Sequence, residues 1–107
     1  MKTNVLSAMC GLSEANLDNV NTVFAKHPEV TKVVLYGSRA KGNYRLGSDV
    51  DLTLYGHNLT NEKLGEIASQ IDDLYLPYTF DISIFNQIDS PELIDHIHRV
   101  GTVLYES

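Results

Sequence analysis

The chain has 107 residues, 43% apolar and 21% charged, with 14 acidic against 8 basic side chains and a formal charge of −6. A chain of this length buries roughly two thirds of the surface its unfolded form exposes, enough for one core but not for a catalytic domain plus a separate substrate domain. Its acidic balance argues against a sequence-independent grip on DNA or RNA and against a polybasic membrane anchor, so no DNA and no membrane are expected as partners.

Residues 1–12 carry no clear period and read as a lead-in segment. Within it Val5 to Leu12 is apolar but short, broken by Ser7 and Gly11 and preceded only by Lys2, which makes a poor signal peptide and cannot span a bilayer. Cys10 is the only cysteine, so neither an intrachain disulfide nor a Cys-based metal site is available, and a reducing, cytoplasmic setting fits best. Ser13 can cap a helix to about His27, with Leu17, Val20 and Phe24 at helical spacing and Pro28 as a stop.

Thr31 to Tyr36 is β-branched and apolar and ends at Gly37, the pattern of a buried strand followed by a turn. Asp49 to Tyr55 alternates, putting Val50, Leu52 and Leu54 on one sheet face and Asp49, Asp51 and Thr53 on the other. Thr60 can cap a helix with the stripe Leu64, Ile67, Ala68, Ile71 and Leu74/Tyr75, ending before Pro77. The Asn58-Leu59-Thr60 triplet that overlaps this cap reads as a loop rather than a glycosylation site.

Tyr78 to Phe85 alternates again, with Phe80, Ile82 and Ile84 opposite Asp81, Ser83 and Phe85. Ser90 and Pro91 open a last helix in which Leu93, Ile94, Ile97 and Val100 face inward, Gly101 ends it, and Thr102 to Tyr105 can add a short edge strand. The succession predicts an α/β (α+β) sandwich: a sheet with helices on one face and an open polar face on the other.

That polar face carries the chemistry. Carboxylates at i and i+2 of one strand face lie about 7 Å apart and repel, so something should compensate them. Mg²⁺ does so, since it takes one or two carboxylates plus substrate phosphates rather than a complete protein cage. Asp81 has the same phase on its own strand. If the two strands are neighbours, Asp49, Asp51 and Asp81 converge, and a two-ion site could clamp the attacking and leaving oxygens of a phosphoryl displacement.

A lone Asp-x-Asp on a strand is most simply a solvated face, but here the segment upstream points elsewhere. Gly37-Ser38-Arg39-Ala40-Lys41-Gly42-Asn43-Tyr44-Arg45 follows a strand directly and concentrates Arg39, Lys41 and Arg45 in an otherwise acidic protein. Glycines let backbone approach phosphate, a strand-to-helix turn offers free N–H donors, and basic side chains supply charge. Other phosphate and metal motifs fail: Asn43-Tyr44 stand where a P-loop needs Lys-Ser/Thr, and Leu54 and Thr60 stand where an EF-hand starting at Asp49 needs Gly and Glu.

Gly37-Ser38, ten intervening residues and then Asp49-Val50-Asp51 resemble the nucleotidyltransferase motif of the DNA polymerase β superfamily. Tyr36-Gly37-Ser38-Arg39-Ala40-Lys41-Gly42, Ser48-Asp49-Val50-Asp51-Leu52, Asp81, and Arg99-Val100-Gly101 before Leu104-Tyr105-Glu106 look more closely like the minimal nucleotidyltransferase (MNT, MntA-type) family. The resemblance implies a polymerase-β-like fold filling residues 1–107 as one domain, with its core over about 30–106 and an N-terminal helix over about 13–27.

The same resemblance implies transfer of a nucleoside monophosphate, AMP from ATP, to an acceptor hydroxyl. It would give Asp49 and Asp51 the role of Mg²⁺ ligands, and Asp81 that of a third ligand or of the base that takes the acceptor's proton. Ser38, with the backbone of Gly37 and Ser38, would hold the outgoing pyrophosphate, while Arg39, Lys41 and Ser48 would line the nucleotide. It further implies an all-helical HEPN-domain toxin as partner, inactivated by adenylylation of a tyrosine. A different class of reading keeps the chain as a binding module that neutralises its toxin by covering it. A third moves the nucleotide to a small molecule such as an aminoglycoside, or to a tRNA end.

The remaining polar residues look unremarkable in sequence. His96 and His98 point about 200° apart on their helix, which disfavours a shared metal. His27 near a helix end reads as a surface residue, Tyr44 as a residue bordering either the glycines or a bound nucleotide, and Asp95 with Arg99 as a weak surface pair.

Overall fold

The computed structural model describes residues 10–45 and 47–107; the lead-in segment expected over residues 1–12 lies almost wholly outside them. Helix α1 (Glu14–Ala25) starts where Ser13 Oγ accepts the Asn16 N–H at 3.1 Å, and it buries Leu17, Val20, Val23 and Phe24. Strand β1 (Val30–Tyr36) leads into the four-residue helix α2 (Ser38–Lys41). Strand β2 (Val50–Gly56) is followed by α3 (Asn61–Asp72), capped by Thr60 Oγ1 on the Lys63 N–H and burying Ile67 and Ile71. Then come β3 (Phe80–Ile84), a 3₁₀ turn (Phe85–Gln87), α4 (Pro91–Val100) and β4 (Thr102–Glu106).

Helix α3 ends before the turn at Leu74–Tyr75, short of the Pro77 boundary expected from sequence. Tyr75 takes the left-handed φ of 55° there, which ends the helix earlier than proline would have to. Strand β3 likewise begins at Phe80 rather than Tyr78.

The four strands lie in the order β3-β2-β1-β4, with β1 antiparallel to both β2 and β4 and with β2 parallel to β3. Two antiparallel strands can join through a tight turn, whereas a parallel pair needs a crossover, and α3 supplies it between β2 and β3. The parallel pairing is what the site depends on, because it brings the starts of β2 and β3 to the same edge of the sheet.

One face of the sheet is closed over β1 and β2. Val33, Leu35, Val50, Leu52 and Leu54 are at 0% exposure beneath Leu17, Val20, Phe24, Ile67 and Ile71 from α1 and α3. Each such aliphatic side chain contributes about 1.5–3 kcal/mol by leaving water. The opposite face differs from the sequence expectation. Instead of lying open with every helix on the far side, it is partly covered by α4, whose Ile97 packs with Val34 and Tyr36 and is flanked by Leu93, Val100, Tyr55, Phe85 and Ile88.

The strand signal behind that difference is short. Val34 and Tyr36 are the two apolar residues of β1 with the same phase as Asp51 and Thr53 on β2. An apolar stripe on α4 therefore has a target on the polar face, and Gly101 lets the end of the helix come close: a Cβ there would meet the Ile97 carbonyl oxygen and stand 2.7 Å from Val34 Cγ1.

Candidate active site

The strand pairing brings Asp51 and Asp81 together, while Asp49 lies just before β2 rather than on it. Asp51 on β2 is the register partner of Asp81 on β3 and of Tyr36 on β1, so the three side chains stand in a row on one face. Asp51 is half-buried, and Asp49 and Asp81 are exposed. Burial, then the negative charge of Asp81 and of Asp49, raises the Asp51 carboxyl above the usual carboxylate value, and His96 acts in the opposite direction. Below the acids Ser83 Oγ donates to Thr53 Oγ1 at 3.1 Å, and Thr53 is wholly buried. Tyr36 is pushed above the ordinary tyrosine value by burial, an effect that its hydrogen bond with Ser83 opposes and that Asp51 and Asp81 reinforce.

The glycine turn lies directly against these acids. Gly37 has φ 77° and ψ −159°, a region essentially closed to residues with a Cβ, and a Cβ there would also collide with Asp51 Oδ2. Glycine is thus required twice, by the backbone and by its neighbour. Gly42, at φ 81°, closes α2 by donating its N–H to the Ser38 carbonyl. Ser38 is half-buried at the first turn of α2, and Lys41 and Arg45 are exposed beside it.

Two expected nucleotide-binding residues serve the loop itself. Arg39 is 3% exposed; its Nε donates to the Ser48 carbonyl at 3.1 Å and its Nη1 to the Cys10 carbonyl at 2.7 Å. Its guanidinium also lies 4.7 Å from the Tyr44 ring and 5.3 Å from the Tyr78 ring. Arg39 therefore ties the loop to the core, and the expectation that it grips phosphate is corrected: its planar fork is spent on carbonyls and aromatic faces. Ser48 Oγ accepts the Arg45 N–H at 2.9 Å, which folds the loop just before Asp49. Of the three basic residues in the segment, Lys41 and Arg45 are the two on the surface.

The sequence brings up His96 only as a metal ligand shared with His98, and the structure gives it a different partner. The Gly37 N–H donates to His96 Nε2 at 3.1 Å, and the imidazole meets the Tyr36 ring edge-on at 6.2 Å. The two histidines do diverge as expected, with His98 lying 5.7 Å from Phe85. A usable signal existed: Leu93, His96, Ile97 and Val100 follow the i, i+3, i+4, i+7 pattern of a helix's inward stripe.

Among the described residues no three His, Cys, Asp or Glu side chains form by themselves a group able to hold a metal ion. The donor chemistry nonetheless fits Mg²⁺ in the form that completes its shell with substrate: two hard carboxylates in register, and an Asp51 whose carboxyl is raised by burial and then by the charges of Asp81 and Asp49. Asp49, Asp51 and Asp81 are the residues that would hold such an ion.

A sequence profile described as polymerase beta, nucleotidyltransferase matches residues 18–107. The chain belongs to the polymerase β nucleotidyltransferase family. It is by that membership a nucleotidyltransferase. Among curated proteins nothing matches in sequence.

Solved structures agree on the fold. A toxin–antitoxin crystallised with AMP-PNP superposes with a TM-score of 0.70 at 19% identity, over 86% of this chain and 74% of that one. A tri-AMPylated HEPN toxin in complex with its MNT antitoxin, from Shewanella oneidensis, gives 0.65 at 17% identity over 88% and 72%. The toxin–antitoxin MntA-HepT gives 0.65 at 16% identity over 89% and 74%. All three are toxin–antitoxin structures, and the shared architecture is the polymerase β one.

Proposed function

We propose that this nucleotidyltransferase moves AMP from ATP to a hydroxyl of a partner protein, a tyrosine of a HEPN toxin, and thereby acts as an antitoxin in the cytoplasm. The observation that carries the reading is the register of Asp51 with Asp81, beside a Gly37 whose lack of a side chain leaves room for the Asp51 carboxylate. The neighbours support the partner and the nucleotide: the proteins of this fold include one crystallised with AMP-PNP and one bound to an AMPylated toxin.

In this reading the acceptor hydroxyl oxygen bonds to the α-phosphorus of ATP while the bond from that phosphorus to the bridging oxygen of the β-phosphate breaks, and pyrophosphate leaves. We assign Asp81, the more exposed carboxylate of the registered pair, to receive the hydroxyl proton. Ser38 at the start of α2 holds the departing phosphates, and Lys41 and Arg45 supply positive charge at its rim. Asp49 and Asp51, with Asp81, would hold Mg²⁺, which when bound neutralises the charge that builds on the pyrophosphate.

The direct experiment combines the purified protein with α-labelled ATP, Mg²⁺ and the HEPN product of a neighbouring gene. Label should appear on a tyrosine of the partner and disappear with the double variant Asp49→Asn/Asp51→Asn. Equal labelling by that variant, or none by the wild type, would overturn the catalytic reading. Protection of cells by a variant that transfers no label would assign neutralisation to binding instead.

A further inference from the structure

We infer that His96 is a positioning residue of the nucleotide turn: its Nε2 holds the Gly37 N–H and so fixes the direction in which Ser38 faces the triphosphate beside Asp51. The inference rests on the nucleotide-transfer reading above and brings the last helix into the site.

The turn needs an external hold. Gly37 sits in a region of conformational space that only glycine visits, and glycine is also the residue with the most backbone freedom to lose. The helix that follows has four residues, too few to be stable through its own hydrogen bonds. Its first-turn bond, from the Lys41 N–H to the Gly37 carbonyl, is long at 3.2 Å. On the N–H side of Gly37 the partner is the His96 ring, 59 residues further along the chain.

The ring is itself held. Ile97 packs on Val34 and Tyr36, Leu93 and Val100 flank the contact, and the imidazole and the Tyr36 ring meet in a T-shaped arrangement at 81°. With α4 pressed onto β1 through Gly101, the helix cannot rotate without losing these contacts. A hydrogen bond accepted at Nε2 requires the lone pair there, so the neutral ring carries its proton on Nδ1.

Two consequences follow for the site. His96 is not the base for the acceptor hydroxyl, because one nitrogen is occupied and the other carries a proton. With the Gly37 N–H given to His96 Nε2, it is not free for a phosphate oxygen. Of the two turn residues, the one left to hold the pyrophosphate is Ser38.

The test compares His96→Leu, which keeps bulk but accepts no hydrogen bond, with His96→Gln, whose Oε1 can stand where Nε2 does. Calorimetry with a non-hydrolysable ATP analogue and Mg²⁺ needs no toxin, and amide exchange at Gly37 reads the hydrogen bond directly. His96→Leu should bind the analogue about tenfold more weakly and exchange the Gly37 amide faster, and His96→Gln should recover most of both. Should His96→Leu fail to fold, His96→Asn, whose shorter amide does not reach Gly37, takes its place. Unchanged binding and exchange in the Leu or Asn variant would overturn the inference, as would a Gln variant no better than they are. Failure of the wild type itself to bind the analogue is a separate outcome that removes the nucleotide reading and this inference with it.

Discussion

The two faces of the sheet are built from alternate residues of the same strands, yet they obey different rules. On one face Leu52 and Leu54 are completely buried with Val33 and Leu35 under two amphipathic helices. On the other, Asp51 and Tyr36 share their row with Asp81, Thr53 lies in the next row with Ser83, and a single helix covers only the apolar half. The closed face contributes stability through area removed from water, whereas the carboxylate row costs stability through crowded negative charge. Adjacent residues of β2 thus serve opposite purposes, and the pleat keeps the two separate.

The largest effect expected from breaking this division is on chemistry. Asp51→Asn should lower nucleotide transfer by about a thousandfold, equivalent to about 4 kcal/mol of transition-state stabilisation, without loss of folded protein by circular dichroism. One residue further on, Leu52→Ala should cost about 3 kcal/mol in denaturant unfolding and leave transfer per folded molecule intact. Reversal of this pattern, with Asp51→Asn unfolding the protein, would mean that the polar row is structural.

Arg39 sharpens the comparison because it looks functional in sequence and is structural in the fold. Arg39→Lys should destabilise the protein by about 2 kcal/mol, since one ammonium cannot satisfy both the Cys10 and Ser48 carbonyls and stack between two tyrosines. A lysine that keeps full stability and full nucleotide affinity would instead favour a simple charge role at that position.

The smallest expected effect is a gain. The Asp51 carboxyl binds its proton more tightly in the fold than in the unfolded chain, so stability is lost as pH rises from the ordinary value of 3.8 through the raised one. In EDTA near neutral pH, Asp51→Asn should therefore melt about 3 °C above the wild type, the difference closing as the pH falls below 3.8. Mg²⁺ with nucleotide should stabilise the wild type and not the variant. A variant that melts lower at neutral pH would mean that the charge is already compensated within the protein.

Much of this was legible in the chain. Ser13, Thr60 and Ser90 cap the helices as their positions suggest, and the alternation in β2 and β3 sorts acids from aliphatics correctly. These are local signals, set by helical and pleated periods. The reading failed where a side chain's partner lies far away: Arg39 turns inward to Cys10 and Ser48, and His96 reaches Gly37 across the sheet. Composition marks a residue as basic or aromatic but does not say whether a carbonyl or solvent will receive it.

Spacing along the chain was sufficient for the turn, the acids and the phase of each strand, because backbone geometry repeats every two or every 3.6 residues whatever surrounds it. Which strand lies beside which, and which face α4 would cover, came from packing: an apolar patch of Val34 and Tyr36 could be buried only by a helix returning from the end of the chain. That return brought His96 to Gly37, a contact between residues with no period in common.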